Sequence, residues 1–229
     1  MDIHKPKPFH SVKEFLSEIC VVVIGIAIAL GGEQLLESWH WGHAVEAERK
    51  VLTTDVKDHL DAFSVRAAQQ KCVDERLTEL GIVFARHKAG QSLGLAGAVG
   101  RPQSNQGLFG AWQVAVADQA MSRMPLEERQ AFADAYGDFD YLYKVEQEAN
   151  SAWITLSALN RSDLLEPGDW PRLLDAYMQL LIQERRVKFL ISFNLKNNKM
   201  GVPEPAHRPL DEVLSLDDAK ALCRPLIAQ

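Results

Sequence analysis

Residues Phe15 to Leu36, FLSEICVVVIGIAIALGGEQLL, constrain this chain more than any other stretch, because no charge interrupts Ile19 to Gly32. As a helix at 1.5 Å per residue the stretch extends for roughly 33 Å, against a hydrocarbon core of roughly 30 Å. It reads as one transmembrane helix, 15–36. Before it lies a short segment, 1–14, and after it a region, 37–229, of roughly 190 residues, enough for one compact domain with its own core. With 47% apolar and 24% charged residues the chain has ordinary globular composition, which excludes wholesale disorder.

Charge beside the span sets an expected orientation. Lys5, Lys7 and Lys13 precede it, whereas Glu33, Glu37, Glu46 and Glu48 surround the first basic pair after it, Arg49 and Lys50. The positive-inside rule then puts the N-terminus in the cytoplasm and the large domain outside, in the periplasm of a bacterial inner membrane. A cleavable signal peptide is the competing reading, since Ala27-Ile28-Ala29 resembles a cleavage site; the helical pattern running unbroken past Leu36 favours a retained anchor. The net charge of −6, with no basic run interleaved with aromatics, argues against nucleic acid as a partner.

The domain reads as all-α. From about 37 to 88 there is no proline, and Leu52, Val56, Phe63, Val73, Leu77, Leu80 and Phe84 form a helical stripe if His59, Arg66 and Gln70 fill its gaps. This predicts a long helix continuing the span, with polar residues in its seam. The glycine-rich stretch of about 89–107 reads as a linker; GLAGAVG lacks the Lys-Ser/Thr ending of a phosphate-binding loop. Further helices are expected over about 108–124, 126–160, 171–199 and 215–223, with Pro125 and Pro171 in first turns and Ser215 as a cap. Phe132, Tyr136, Phe139, Tyr143 and Val145 make a stripe that belongs in a core. No segment has the alternation of a strand, so the expected architecture is an N-terminal transmembrane helix followed by an antiparallel bundle of about four helices.

Chemistry-bearing residues are few. Gly25 with Ala29, and Ala27 with Gly31, are small residues four apart that let a partner helix approach closely in lipid. The 14 uncharged residues between Glu18 and Glu33 cover only roughly 21 Å, so Glu18 sits near hydrocarbon, placed at the interface or paired with a polar group of a partner subunit. Trp39, His40, Trp41 and His43 form an interfacial belt where indoles anchor a helix among headgroups; His40 and His43 share a face, but the ligand set is incomplete, and no metal or cofactor is expected. Cys20 lies in the span. Cys72 and Cys223 would meet an oxidising compartment and form a disulfide, with two separate buried thiols as the alternative. No nucleophile elbow is present, and Glu127-Glu128 and Asp217-Asp218 suit first helical turns better than catalysis.

The run VVVIGIAIALGGEQLLESWHWGHAVEAERKVL resembles the opening of a group of bacterial single-pass membrane proteins without assigned activity, in which a Val/Ile-rich span leads into a Trp- and Glu-bearing helix. Gly25, Ile28, Ala29, Leu30, Glu33, Gln34, Trp39, His40 and His43 carry the likeness. The resemblance implies topology and an α-helical extracytoplasmic domain. The functional expectation is a non-enzymatic accessory or scaffold subunit, its partners the bilayer and other integral membrane subunits or a second copy. The alternative is a periplasmic ligand-binding or sensory module that signals through a partner.

Overall fold

The computed structural model describes residues 12–104, 107, 109–197, 202–203, 205 and 216–228. Most of the segment 1–14, Leu108, the end of the helix expected over 171–199 and the cap Ser215 lie outside the described residues. The fold is all-α. Among the described residues the α-helices are α1 Val12–Ala68, α2 Gln70–Lys88, α3 Gly110–Ala117, α4 Gln119–Arg123, α5 Leu126–Leu156, α6 Trp170–Lys196 and α7 Asp217–Leu222, with 3-10 turns at Ser157–Leu164 and Pro167–Asp169. Among the described residues there is no strand, only an isolated antiparallel bridge between Leu95 and Ile227.

Helix α1 has 57 residues and so reaches about 85 Å. Its first part is long and apolar enough to cross a membrane: the apolar window has mean hydropathy 2.3, and none of it is buried against the rest of the chain. From Val45 upward the same helix enters the core through Leu52, Val56, Leu60 and Phe63, all buried.

Where a single helix over 37–88 was expected, the chain breaks at Gln69. The Gln69 N–H donates to Arg66 O at 3.2 Å, a 3-10 step. Its side chain is why the break is stable: Nε2 donates to Val65 O at 3.1 Å, and Oε1 accepts from the Gln103 N–H at 2.8 Å. Gln69 is therefore fully buried, and the expected Gln70 only partly so. The helix expected over 108–124 is likewise divided, because Asp118 is extended and its carboxylate caps α4 by accepting from Ala120 N at 2.8 Å. Helix α5 ends at Leu156, four residues before its expected end, and continues as a 3-10 turn.

Side-chain pairs fix the directions. Arg49 meets Glu128, Asp55 meets Tyr136, His59 meets Tyr143 and Arg66 meets Glu146, so α5 runs parallel to α1. The return is made by α3 and α4, which descend from Phe109, beside His59, to Arg123, beside Trp41. Helix α6 descends antiparallel to the other long helices, from Trp170 stacked on His87 at 3.5 Å to Lys188, paired with Asp74 at 2.8 Å. The aromatic stripe Phe132, Tyr136, Phe139 and Tyr143 is buried between α1 and α5, as its spacing required.

The glycine-rich linker is held against the C-terminal tail. Ala96 and Gly97 N–H groups donate to Leu226 O, and Ala228 N–H donates to Gly94 O. Gly100 has φ of 62°, and a Cβ there would lie 2.3 Å from Leu222 N, so only glycine serves. The glycines of GLAGAVG make this close approach of two backbones.

Candidate functional site

Four groups of polar residues stand out, at four heights along the α1–α2 spine. At the base, just above the apolar stretch, the Trp41 Nε1–H donates to Glu37 Oε1 at 3.1 Å, and the Arg123 guanidinium lies 5.2 Å from the centre of the Trp41 ring and 3.5 Å from Glu37. Trp39 packs edge-on to His43 with centroids 4.6 Å apart, and His40 meets Trp41 in the same way at 5.4 Å. Arg49 ties this base to α5 by two bonds to Glu128 and a third to Glu46, and the Glu128 bonds raise its pKa further above the ordinary guanidinium value. Gln34, Glu37, Ser38, Trp41, Gly42 and Arg123 line a groove of about 500 Å³ under α4.

Helical register relates this groove to the small residues of the apolar stretch. Ala27 and Val45 are separated by 18 residues, five turns, so Ala27 and its neighbour Gly31 share the side that carries the domain. Gln34 and Ser38, seven residues beyond each, continue that side into the groove. Glu18 lies seven residues before Gly25 and eleven before Ala29, on the opposite side of the helix. The two small-residue pairs thus lie on opposite sides of the helix. A Cβ added at Gly25, Gly31 or Gly42 meets nothing within 4 Å.

At mid-height, His59 sits among Phe63, Phe109, Tyr136, Phe139 and Tyr143. Burial lowers its pKa against the opposing pull of Asp55 and Asp58, so the ring is neutral at pH 7. Its Nδ1 lies 3.0 Å from the Tyr143 hydroxyl, while the Tyr136 O–H donates to Asp55 Oδ2 at 2.6 Å. Burial raises both phenols far above their usual range, which keeps both hydroxyls protonated.

One layer higher, Arg66 of α1 binds Glu184 of α6 through Nη2, and Glu184 Oε1 accepts from Trp153 Nε1 of α5 at 2.7 Å. Glu146 of α5 faces the same guanidinium at 3.6 Å, and its Oε1 has no hydrogen-bond partner. Burial first, and then the charge of Glu184, outweigh the attraction of Arg66 and push the Glu146 carboxyl up to about 7. A cleft of about 530 Å³ opens beside Glu146 between α5, the linker and the start of α7.

The upper layer secures the chain's end. Arg76, with no exposed surface, donates to the carbonyls of Ala98, Val99, Ala221, Leu222 and Arg224. Beside it Cys72 and Cys223 are joined by a disulfide, their Cα atoms 4.9 Å apart. Glu79 Oε1 accepts from the Leu226 N–H at 2.9 Å.

Of the residues singled out from sequence, the structure gathers Trp39, His40, Trp41 and His43 into the basal cluster and bonds Cys72 to Cys223. It leaves Glu18, Gly25, Ala27 and Ala29 exposed and Gly31 half-exposed. Sequence reasoning missed Glu146, Glu184, Arg76 and the cleft. The signal existed in part: Phe132, Phe139, Glu146 and Trp153 repeat every seven residues, so Glu146 occupies a core position of its own stripe. Comparisons with protein-family models, with curated proteins and with solved structures gave no match.

Proposed function

We propose that the chain is a non-enzymatic, single-pass accessory or scaffold subunit of a bacterial inner-membrane assembly, with its N-terminus in the cytoplasm and its helical domain in the periplasm. The observation that carries this reading is the continuity between the Ala27–Gly31 side of the apolar stretch and the groove beneath the bundle. A partner helix seated there touches small residues in lipid, where close packing replaces the hydrophobic drive. Above the lipid it meets Trp41 and Arg123, so one binding event engages both parts of the protein. Because α1 is unbroken from the span into the core, the partner is held rigidly relative to the domain.

Two further features agree with the reading. The disulfide between Cys72 and Cys223 suits an oxidising compartment. Glu18, on the side away from the groove, is available for a polar contact with a second neighbour, another subunit or a second copy, alongside Gly25 and Ala29. The resemblance of the span and its juxtamembrane helix to bacterial single-pass proteins points the same way.

The test is extraction of a tagged full chain in mild detergent followed by pull-down. The proposal expects stoichiometric integral membrane partners, depleted about tenfold, equivalent to ~1.4 kcal/mol, by Gly31→Leu. Because a Cβ at Gly31 meets nothing within 4 Å among the described residues, that variant should keep its thermal unfolding midpoint. A product that is strictly monomeric or homodimeric would sink the proposal.

A further inference from the structure

Among the described residues His59 is the only buried histidine, and it stands where three elements meet. Its ring packs on Phe109, at the start of α3, and on Phe139 and Tyr143 of α5. The Tyr143 hydroxyl keeps its proton and donates it to His59 Nδ1 at 3.0 Å, which leaves the ring's own proton on Nε2. That nitrogen is sealed from solvent, has no hydrogen-bond partner among the described residues, and lies 3.5 Å from Asp55 Oδ2. The same oxygen accepts from the Tyr136 O–H at 2.6 Å, and the Tyr136 ring is stacked on Trp112 of α3 with centroids 4.9 Å apart.

A second proton on this ring has two local effects. On Nδ1 it reverses the Tyr143 bond, so the phenol proton loses its acceptor. The imidazolium charge also draws Asp55 toward Nε2 and away from the Tyr136 hydroxyl. Both changes fall on the rings that hold Phe109 and Trp112, and so on the attachment of α3.

The groups facing His59 give the sign of its response. Helix α1 contributes Asp55 and Asp58, and α5 contributes Tyr136 and Tyr143, with Glu146 acting on Tyr143 from behind. The stretch from Ser104 to Trp112, which leads into α3, has no ionisable side chain. Burial lowers the His59 pKa from 6.5 against the pull of both aspartates, so the closed arrangement loses stability as pH falls below 6.5. Glu146, and Glu48 on α1, have pKa values raised first by burial and act in the opposite sense. Neither can open the bundle on acidification.

We propose that His59 is an acid-operated latch, whose protonation releases α3 and α4 from α1 and α5 while the long helices stay packed. Helix α4 carries Arg123 to the basal groove, so the latch regulates the seating of a partner there. That consequence rests on the function proposed above; the latch itself does not.

The test is spin-label distance measurement on the full chain in detergent micelles, in a Cys20→Ser background with labels at Lys50→Cys of α1 and Gln113→Cys of α3, both exposed positions. One distance is expected at ~pH 7.5, well above the ordinary imidazole value. Toward ~pH 5 a longer distance should join it, its ratio to the first rising about tenfold per pH unit as a single proton requires, with helix content by circular dichroism unchanged. His59→Gln should hold the short distance throughout. Asp55→Asn should do the same, because its amide oxygen still accepts from Tyr136 but is not drawn to an imidazolium, and it decides the matter should His59→Gln fold poorly. An unchanged distance in the parent, loss of helix content together with the lengthening, or a lengthening that persists in the variants would overturn the latch. Partner pull-down at neutral pH reports on the groove separately: a chain that opens in acid but captures no partner keeps the latch and contradicts only the earlier reading.

Discussion

At the scale of single residues, the two carboxylates beside Arg66, Glu146 and Glu184, have opposite effects. For Glu146 the pKa is raised from 4.5 to about 7 in the folded chain. Its favourable contribution is therefore complete below about pH 4.5 and is lost as pH rises to about 7, while the unfolded chain has already released the proton. The loss amounts to about 3 kcal/mol. Glu146→Gln should remove this component, so that the difference in stability between variant and parent grows in the variant's favour over that interval; equal profiles for the two proteins would refute it. Glu184→Gln should act the other way at neutral pH, by about 3 kcal/mol, because it strands Arg66 and weakens the Trp153 bond. Denaturant titration of each variant distinguishes the two directions. Why Glu146 went unnoticed in the sequence is physical. A glutamate in an apolar stripe reads as an interruption, and only the arrival of α6 places Glu184 beside it.

At the scale of elements, the spine was legible because a helical pattern with no proline from Gln34 to Lys88 has little to stop it. The stripe of Leu52, Val56 and Phe63 reached the core as its period required. The interruption at Gln69 was not legible, since its cause is the Gln103 N–H of the linker, 34 residues away, which claims the Gln69 side chain. Asp118 could have been read locally: an Asp before Gln-Ala-Met is an ordinary helix cap. At the base, Arg49 holds α1 to α5 through a two-bond contact with Glu128 that is only partly shielded from solvent. Arg49→Ala should therefore cost only about 1 kcal/mol, and its measurable effect should be a loosening of the start of α5, seen as faster amide exchange near Glu128. Unchanged exchange there would show that packing of Met121, Met124 and Leu52 fixes the base without the ion pair.

At the scale of the whole molecule, the C-terminal tail closes the fold onto α2. The Cys72–Cys223 bond spans a sequence separation of 151 residues, and loop-closure entropy assigns such a link about 5 kcal/mol. Arg76→Ala should cost a comparable 3–5 kcal/mol, because five carbonyls lose a buried cation. Since both devices hold the same tail, the double variant Arg76→Ala with Cys223→Ser should lose clearly less than the two single losses combined. Simple additivity in unfolding measurements would show that tail and linker detach independently. The spacing of the cysteines allowed this bond but did not select it; the tail's path beside α2, set by Arg76 and the Leu95–Ile227 bridge, brings the two sulfurs together.

The central claim is that the protein works through the side of α1 that runs from Ala27 into the basal groove. Site-specific photo-crosslinking in living cells, with the reactive residue placed in turn at each position from Glu18 to Gly42, tests it most directly. Adducts to a different integral membrane protein should peak at Ala27, Gly31, Gln34 and Ser38, with a helical period. Absence of any protein adduct at those four positions, or adducts confined to the side of Gly25 and Ala29, would contradict the claim.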